Sequence, residues 1–412
     1  MYLCIKLQYQ QKSKMPRTLK ILAILIVSCQ LSIVNLNAQE ISGYISGMPS
    51  LIFQPLSHID AGQMLTHNRL NFGWQMNEHW RVDAGMRNRF IIGDLYSDPK
   101  SIKFDAGLMN LSWNWLDAQK RWTRQVDTNI TAHYSVNFLG NTAFDRLNLT
   151  FEKNNWKLQL GRQRINWGQT FVWNPNDIFN TYSFFDFDYP ERPGCDAFRG
   201  TFFHNATSSS ELAVSVNHEN KITSALLHRW NKNNVDYQLI AGQQTQTDFV
   251  AGGAITTDFR GLNIRSELSY FHPMQNITDT GGIVAVSVGA DYIFSNSLML
   301  QTEVLYNNAD RTFHNSVPMG LYGTPLSAKQ LSISDWTIFA NVSYPITPRL
   351  NGGLSSMYFV DIKSCYVGIS LDFSVAENLD FSFITQYFSA FSNSQIGAMQ
   401  LFLGFVRLKY TF

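Results

Sequence analysis

Residues 70–90 read Leu70-Asn71-Phe72-Gly73-Trp74-Gln75, then Met76-Asn77-Glu78-His79, then Trp80-Arg81-Val82-Asp83-Ala84-Gly85-Met86-Arg87-Asn88-Arg89-Phe90. In an extended chain Leu70, Phe72 and Trp74 fall on one side, and Arg69, Asn71, Gly73 and Gln75 on the other. In the last run Trp80, Val82, Ala84, Met86 and Phe90 alternate with Arg81, Asp83, Gly85, Arg87 and Arg89. One face suits hydrocarbon and the other water, and the connection between the two runs is short enough for a hairpin.

The same alternation recurs outward along the chain, at 102–108, 147–151, 156–160, 235–241, 262–270, 298–306 and 365–373. Short polar connections at 76–79, 152–155, 231–234 and 294–297 read as tight turns on a periplasmic rim. Longer ones at 92–101, 165–194, 273–281, 311–330 and 389–396 read as outer loops. Segments of about ten alternating residues separated by turns are the pattern of a transmembrane barrel. The expected fold is all-β: a single transmembrane antiparallel β-barrel of about 18 strands, within a range of about 16–20, because such single-chain barrels close with an even number. Strands and loops use up the residues after about Gly43, so no second domain is expected.

Composition agrees. Of the 412 residues 45% are hydrophobic and 14% aromatic, but only 15% are charged, so Asn, Gln, Ser and Thr carry the polarity. That excludes a disordered chain and, with 27 basic and 31 acidic residues beyond residue 38, leaves no basic face for nucleic acid. One long apolar run lies near the N-terminus. It follows Lys12, Lys14, Arg17 and Lys20 and leads into Leu36-Asn37-Ala38-Gln39, the order basic, apolar, small of an export signal. Residues 1–38 are therefore expected to be a cleaved secretory signal peptide, with Met15 an alternative start, and 39–412 the barrel. Ile26-Val27-Ser28-Cys29 also fits a lipoprotein pattern, although the apolar run continues past Cys29. The mature chain keeps Cys195 and Cys365, without a CxxC or a Cys/His cluster, so no metal site is expected and the pairing of the two is left open.

A second distinctive stretch is Gly161-Arg162-Gln163-Arg164-Ile165-Asn166-Trp167-Gly168-Gln169, then Val172-Trp173-Asn174-Pro175-Asn176-Asp177-Ile178-Phe179, then Tyr189-Pro190-Glu191-Arg192-Pro193-Gly194. It resembles a porin-like family of Gram-negative outer-membrane β-barrels, in which Gly-Arg-Gln at a strand end leads to Trp-Gly, Asn-Pro-x-Asp and Arg-x-Gly; the alginate-export barrels are similar more loosely. The likeness covers about 40 residues closely. It implies a Gram-negative outer-membrane location. Physically, 165–194 is the longest connection and is rich in aromatics, which water would not accommodate, so it is expected to fold into the barrel as a constriction. Trp167, Trp173, Asn174, Asp177, Asp186 and Asp188 are its candidate residues. Trimming it is expected to leave the barrel intact.

Arg69, Arg81, Arg87, Arg89, Lys103, Arg146, Lys157 and Arg199 fall on expected lumen positions, so opposed charges across a narrow pore are expected to select solutes. Pairs such as Asp83 with Arg81 and Glu267 with Arg265 are the simpler alternative. Arg162 and Arg164 fall on the lipid side by strict alternation unless Gly161 carries a bulge. At the C-terminus Leu408, Tyr410 and the final Phe412 share one face; a strand ending in an aromatic resembles the insertion signal read by the barrel-assembly machinery. No Gly-x-Ser-x-Gly is present, and His218-Glu219-Asn220-Lys221-Ile222 fails the His-Glu-x-x-His pattern, so an enzyme is not expected, nor any cofactor. The expected function is a passive channel for small polar solutes, with a non-channel or export barrel for surface polysaccharide assembly or ligand binding as the alternative. Expected partners are outer-membrane lipid, the barrel-assembly machinery and small polar solutes, with oligomeric state left open.

Overall fold

The computed structural model describes residues 39–54, 59–93, 126–132, 134–185, 187–188, 190–217, 219–275, 277, 281–309, 327–390 and 399–412. The expected signal peptide, Lys103, Asp186 and the expected strand at 102–108 lie outside the described residues. The strands are β1 Gln39–Gln54, β2 Ile59–Gln75, β3 Trp80–Gly93, β4 Val126–Ala132, β5 Tyr134–Lys153, β6 Trp156–Gln163 and β7 Cys195–Asn205. Then follow β8 Ser208–Val216, β9 Ile222–Lys232, β10 Val235–Gln244, β11 Asp248–Phe259, β12 Leu262–Pro273 and β13 Ile283–Ile293. The last six are β14 Met299–Asn307, β15 Trp336–Thr347, β16 Leu350–Phe359, β17 Ser364–Ala376, β18 Leu379–Ala390 and β19 Met399–Thr411.

Eighteen of these pair antiparallel around a closed wall. Closure is made by β19 on β1, from Tyr44 opposite Thr411 to Phe53 opposite Phe402. Reciprocal 2.9 Å bonds between the backbones of Gly43 and Phe412 finish the seam. The remaining strand, β4, is hairpinned onto the 134–140 end of β5, whose other edge pairs with β3. It extends the wall beyond β6 without adding a stave. The expected 16–20 range therefore resolves to 18.

Local chemistry places the turns. Asn154, and the pair Asn233 and Asn234, have positive φ (52°, 55° and 60°), which asparagine tolerates and two-residue hairpin turns require. These turns lie at the end of the barrel that carries Gly43 and Phe412, here the short-turn end.

The alternation holds around the wall. Leu51, Leu160, Leu226 and Leu239 point outward, and Leu51 is 70% exposed, as the lipid face of a membrane barrel requires. Arg69, Arg87, Glu211, Glu267 and Glu303 occupy the opposite phase and are buried. Two departures matter. Opposite Gly85 and Met86, β5 carries an extra residue, Asp145, and this bulge aims its carboxylate at Arg69 Nη1. Gly161 takes φ +113°, and a Cβ there would meet the Leu147 carbonyl at 2.4 Å. Register nevertheless runs unbroken through it, so Gly161 carries no bulge.

The interior differs from the wet lumen expected. Phe271, Leu305, Phe339, Tyr366, Phe388, Leu403 and Phe405 all point inward from β12–β19 and are buried. Their cover comes from the long connection between β6 and β7.

Candidate functional site

The connection over 164–194 stays inside the barrel and runs around its inner wall. It starts against β8–β11. Trp167, with no exposed surface, donates its indole N–H to Glu211 of β8, and its carbonyl accepts from Gln238 Nε2 of β10 at 2.8 Å. Asn180 Oδ1 accepts the Ile165 N–H at 2.8 Å, which ties the two ends of this first turn.

Two wall carboxylates then hold the backbone. Glu267 of β12 accepts from the N–H groups of Gln169, Thr170 (2.7 Å) and Asn176 (3.0 Å) and from the Thr170 hydroxyl. Glu303 of β14 accepts from three consecutive N–H groups, those of Phe171, Val172 and Trp173, at 2.9, 2.9 and 2.8 Å, and from Ser287 Oγ at 2.6 Å. Both side chains are fully buried. A buried carboxylate is tolerated only when its lone pairs are met by such donors. Between them Ser269 Oγ lies 2.9 Å from the Pro175 carbonyl, and Asn176 Nδ2 donates to the Gly253 carbonyl at 3.0 Å.

The motif residues support one another here. A Cβ at Gly168 would fall 2.2 Å from Asn174 Oδ1, so Trp-Gly and Asn-Pro close on each other only with glycine at that position. Asn174 Nδ2 reaches the Tyr182 hydroxyl at 3.0 Å, and the Arg192 guanidinium covers the Tyr182 ring at 3.1 Å.

Beyond this turn the aromatics cross to the far wall. Phe184 meets Phe339 of β15 at 5.2 Å between ring centroids, Phe185 meets Tyr366 of β17 and Phe388 of β18 at 5.1 and 5.4 Å, and Phe187 meets Phe405 of β19 at 5.0 Å. The path ends against the basic strands. Asp188 Oδ2 lies 3.0 Å from His67 Nδ1, and its carbonyl accepts from Arg87 at 3.4 Å. Glu191 accepts the Tyr44 hydroxyl proton at 3.1 Å, while its carbonyl and that of Arg192 accept from Arg146 Nη2. Burial works against the Asp188 charge, but His67, Arg87 and Arg89 hold its carboxyl below the ordinary range.

The expected wall residues are distributed accordingly. Arg69, Arg87 and Arg89 are buried against the connection, Arg199 pairs with Glu211 at 2.6 Å, and Arg81 pairs with Asp83 and Glu40 at 2.8 and 3.1 Å. Lys157 pairs with Glu152 at the short-turn end. The opposed charges thus meet in contact instead of across a gap. Asp177 departs furthest from expectation. Its N–H closes a turn onto Asn174 O at 3.1 Å, which swings the carboxylate away from Arg87 and Arg89 into a fully buried position. Burial pushes its carboxyl up to about 7, against the lowering effect of Arg164, the Trp167 N–H, Arg192 and the Asn180 N–H.

Glu267 does not pair with Arg265, which instead lies 3.5 Å from Asp291 and 4.3 Å from the Phe171 ring centroid. Arg162 makes a two-pronged pair with Asp196 at 3.0 and 3.2 Å. Arg164, past the strand end, lines a cavity. Glu211, Glu267 and Glu303 were absent from the expected site. Their signal was an acidic residue on the inward phase of a strand in the half of the wall that carries the fewest arginines. Cys195 and Cys365 are separate free thiols.

Toward the short-turn end two spaces remain beneath the connection. One, of 410 Å³, is lined by Arg81, Arg146, Arg164, Glu40, Asp83 and Gln163, among others. The other, of 310 Å³, is lined by Gln169, Arg229, Asp236, Gln238, Ser209 and Thr256 among others. Both are walled chiefly by polar side chains.

No protein-family model matches the sequence, and no curated protein does. Solved structures match the fold. The outer membrane protein OprD from Pseudomonas aeruginosa aligns over 91% of this chain and 94% of its own, at 9% identity and a TM-score of 0.54. This is an outer-membrane barrel fold. OccK5 (OpdH) of the same organism gives a TM-score of 0.55 at 8% identity, over 90% of this chain and 98% of that one. Acinetobacter baumannii OccAB1 gives 0.54 at 8%, over 91% and 97%.

On the outside of the barrel, near the short-turn end, Ser210 Oγ lies 2.8 Å from His204 Nε2 and 3.0 Å from His228 Nδ1. The pair belongs to a row of rings, Phe202, His204, His228, Trp230 and Tyr237, of the kind found where barrels meet the membrane interface. Among the described residues no hydrogen bond or ion pair joins a carboxylate to either imidazole.

Proposed function

We propose that the protein is an outer-membrane channel for the passive diffusion of small polar solutes, with residues 165–194 as its constriction. The observation that carries this reading is the connection itself, which lies inside a closed 18-stranded wall and is fixed there by Glu267 and Glu303 above polar cavities. A backbone held at six N–H groups by two rigid strands narrows a passage without blocking the polar surface below it. Arg81, Arg146 and Arg164 around the 410 Å³ space give that surface its positive groups and favour anionic or dipolar solutes. The reading assigns no catalysis and no cofactor.

Purified protein in planar bilayers tests it. Stepwise ion conductance is expected, and Arg81→Gln is expected to shift selectivity toward cations, more at low salt where screening is weak. A folded protein that conducts nothing would return the reading to a barrel for surface assembly or ligand binding.

A further inference from the structure

The outward face of β2, β3 and β5 carries a row that hydrocarbon does not suit. Asn68, Asn88 and Thr142 are cross-strand partners. Their neighbours in sequence, His67, Arg69, Arg87 and Arg89, are buried on the inward phase, so the three point out. Asn88 Nδ2 donates to Asn68 Oδ1 at 2.7 Å, and Thr142 Oγ1 donates to Asn88 Oδ1 at 2.7 Å. The row lies between Trp74 and Trp80 toward the short-turn end and Met64, Phe90 and Ile92 toward the other. At about 3.3 Å per residue and a tilt of about 40°, Asn68 stands roughly 15 Å above Trp74, inside an apolar band of about 25 Å. Gln39, Gln243 and Gln400, outward carboxamides elsewhere on the described wall, sit at or beside strand ends, where water reaches them.

Two carboxamides and a hydroxyl satisfy each other only in part. Each carboxamide has two N–H donors. The two bonds use one of Asn88's, and no other group among the described residues takes a proton from Asn68 Nδ2. Acyl chains offer no acceptor, so in lipid these donors stay unsatisfied. An occupant must present carbonyl-type acceptors at the same depth, and the same row in another molecule does. Asn Oδ1 has lone pairs to spare, so the row is complementary to itself, as buried asparagines are at helix pairs.

We propose that the face around Asn68, Asn88 and Thr142 is where a second copy of this chain docks within the membrane. The apolar flanks supply the surrounding contact, with Leu51 of the adjacent β1 the most exposed large hydrophobic side chain of the described residues. The amides fix the register.

The test uses the full chain purified in mild detergent and reconstituted in nanodiscs sized for one or several barrels. Mass photometry and crosslinking of an Asn88→Cys variant, with Cys365 replaced by Ser, read the association. The wild type is expected to form dimers or larger closed assemblies, and Asn88→Cys to give a covalent dimer. The double variant Asn68→Leu with Asn88→Leu is expected to stay folded, since leucine suits that face, and to weaken association roughly tenfold or more. Unchanged heat-modifiability and conductance per barrel show that it has folded. A monomeric wild type, a double variant that associates as before, or crosslinking of the Asn88→Cys thiol to a different polypeptide would each overturn the proposal.

Discussion

Replacing Glu303 by alanine removes the acceptor of three consecutive loop N–H groups and of Ser287. Hydrogen bonds to an ionised acceptor contribute about 1.5–3 kcal/mol each when fully desolvated. Water meets the freed N–H groups once the connection is undocked, so about 1 kcal/mol per bond is the better figure. Loss of the three bonds to the connection, the Ser287 bond being within the wall, then weakens its docking by about 3 kcal/mol, which lowers the docked-to-undocked ratio by about two orders of magnitude. Glu303→Gln keeps one oxygen but turns an amide nitrogen toward N–H donors, so about half of that loss is expected. Barrel pairing on β14 involves only its backbone and is unaffected. The assay combines single-channel recording with limited proteolysis. Glu303→Ala should give larger, flickering currents and new cleavage after Arg164 and at Phe171, Phe184 and Phe185, while the barrel remains heat-modifiable. A folded variant with wild-type current and wild-type cleavage would refute the claim that this carboxylate holds a constriction in place.

Other expectations follow the same logic. Asp177 has a docked value of about 7, above an ordinary carboxyl, so the docked state binds a proton more tightly than the undocked one. The Asp177 contribution to docking is then full below about pH 4 and is lost as pH rises from there to about 7. Conductance should fall on acidification over that window, and Asp177→Asn should reduce the dependence. Leu239→Arg, on the lipid face near mid-strand, should cost roughly 2–4 kcal/mol in urea titrations in vesicles, whereas Gln75→Arg at the wet rim should cost little. Deleting residues 410–412 removes the bonds between Phe412 and Gly43 and the pairs at Ile45 and Tyr44. Insertion measured by heat-modifiability should drop sharply, and normal insertion would argue against a terminal signal.

The wall was legible because lipid on one side and enclosed polar surface on the other force a period of two, which residues 70–75 and 80–90 display openly. The inner connection was legible only as a surplus of aromatics. Its destination was not, since contacts such as Phe185 with Phe388 join positions far apart in sequence. A clue existed in β19, where Leu401, Phe402, Leu403 and Phe405 are apolar on both faces, marking a strand covered from inside as well as outside. Asp177 was misplaced because a tight turn at Pro175-Asn176 sets the direction of one carboxylate, a detail below the resolution of charge counting. The expectation that trimming 174–188 leaves the fold untouched also fails on physical grounds. It would bare Phe339, Phe388 and Phe405 to water and take the Asn176 N–H away from Glu267.

Because the connection touches β8, β10, β11, β12, β14, β15, β17, β18, β19, β1, β2, β3 and β5, it behaves as a hoop fitted within a cask. A hoop cannot be seated before the last stave is in. Asp188 and Glu191 find His67, Arg69 and Tyr44 on strands made early, while Phe185 and Phe187 need strands made last. The full set of these contacts exists only when β19 is paired with β1, so the connection is expected to complete its docking as the seam closes. On the proposed channel reading, permeability is expected to fall as the connection seats against the closed wall.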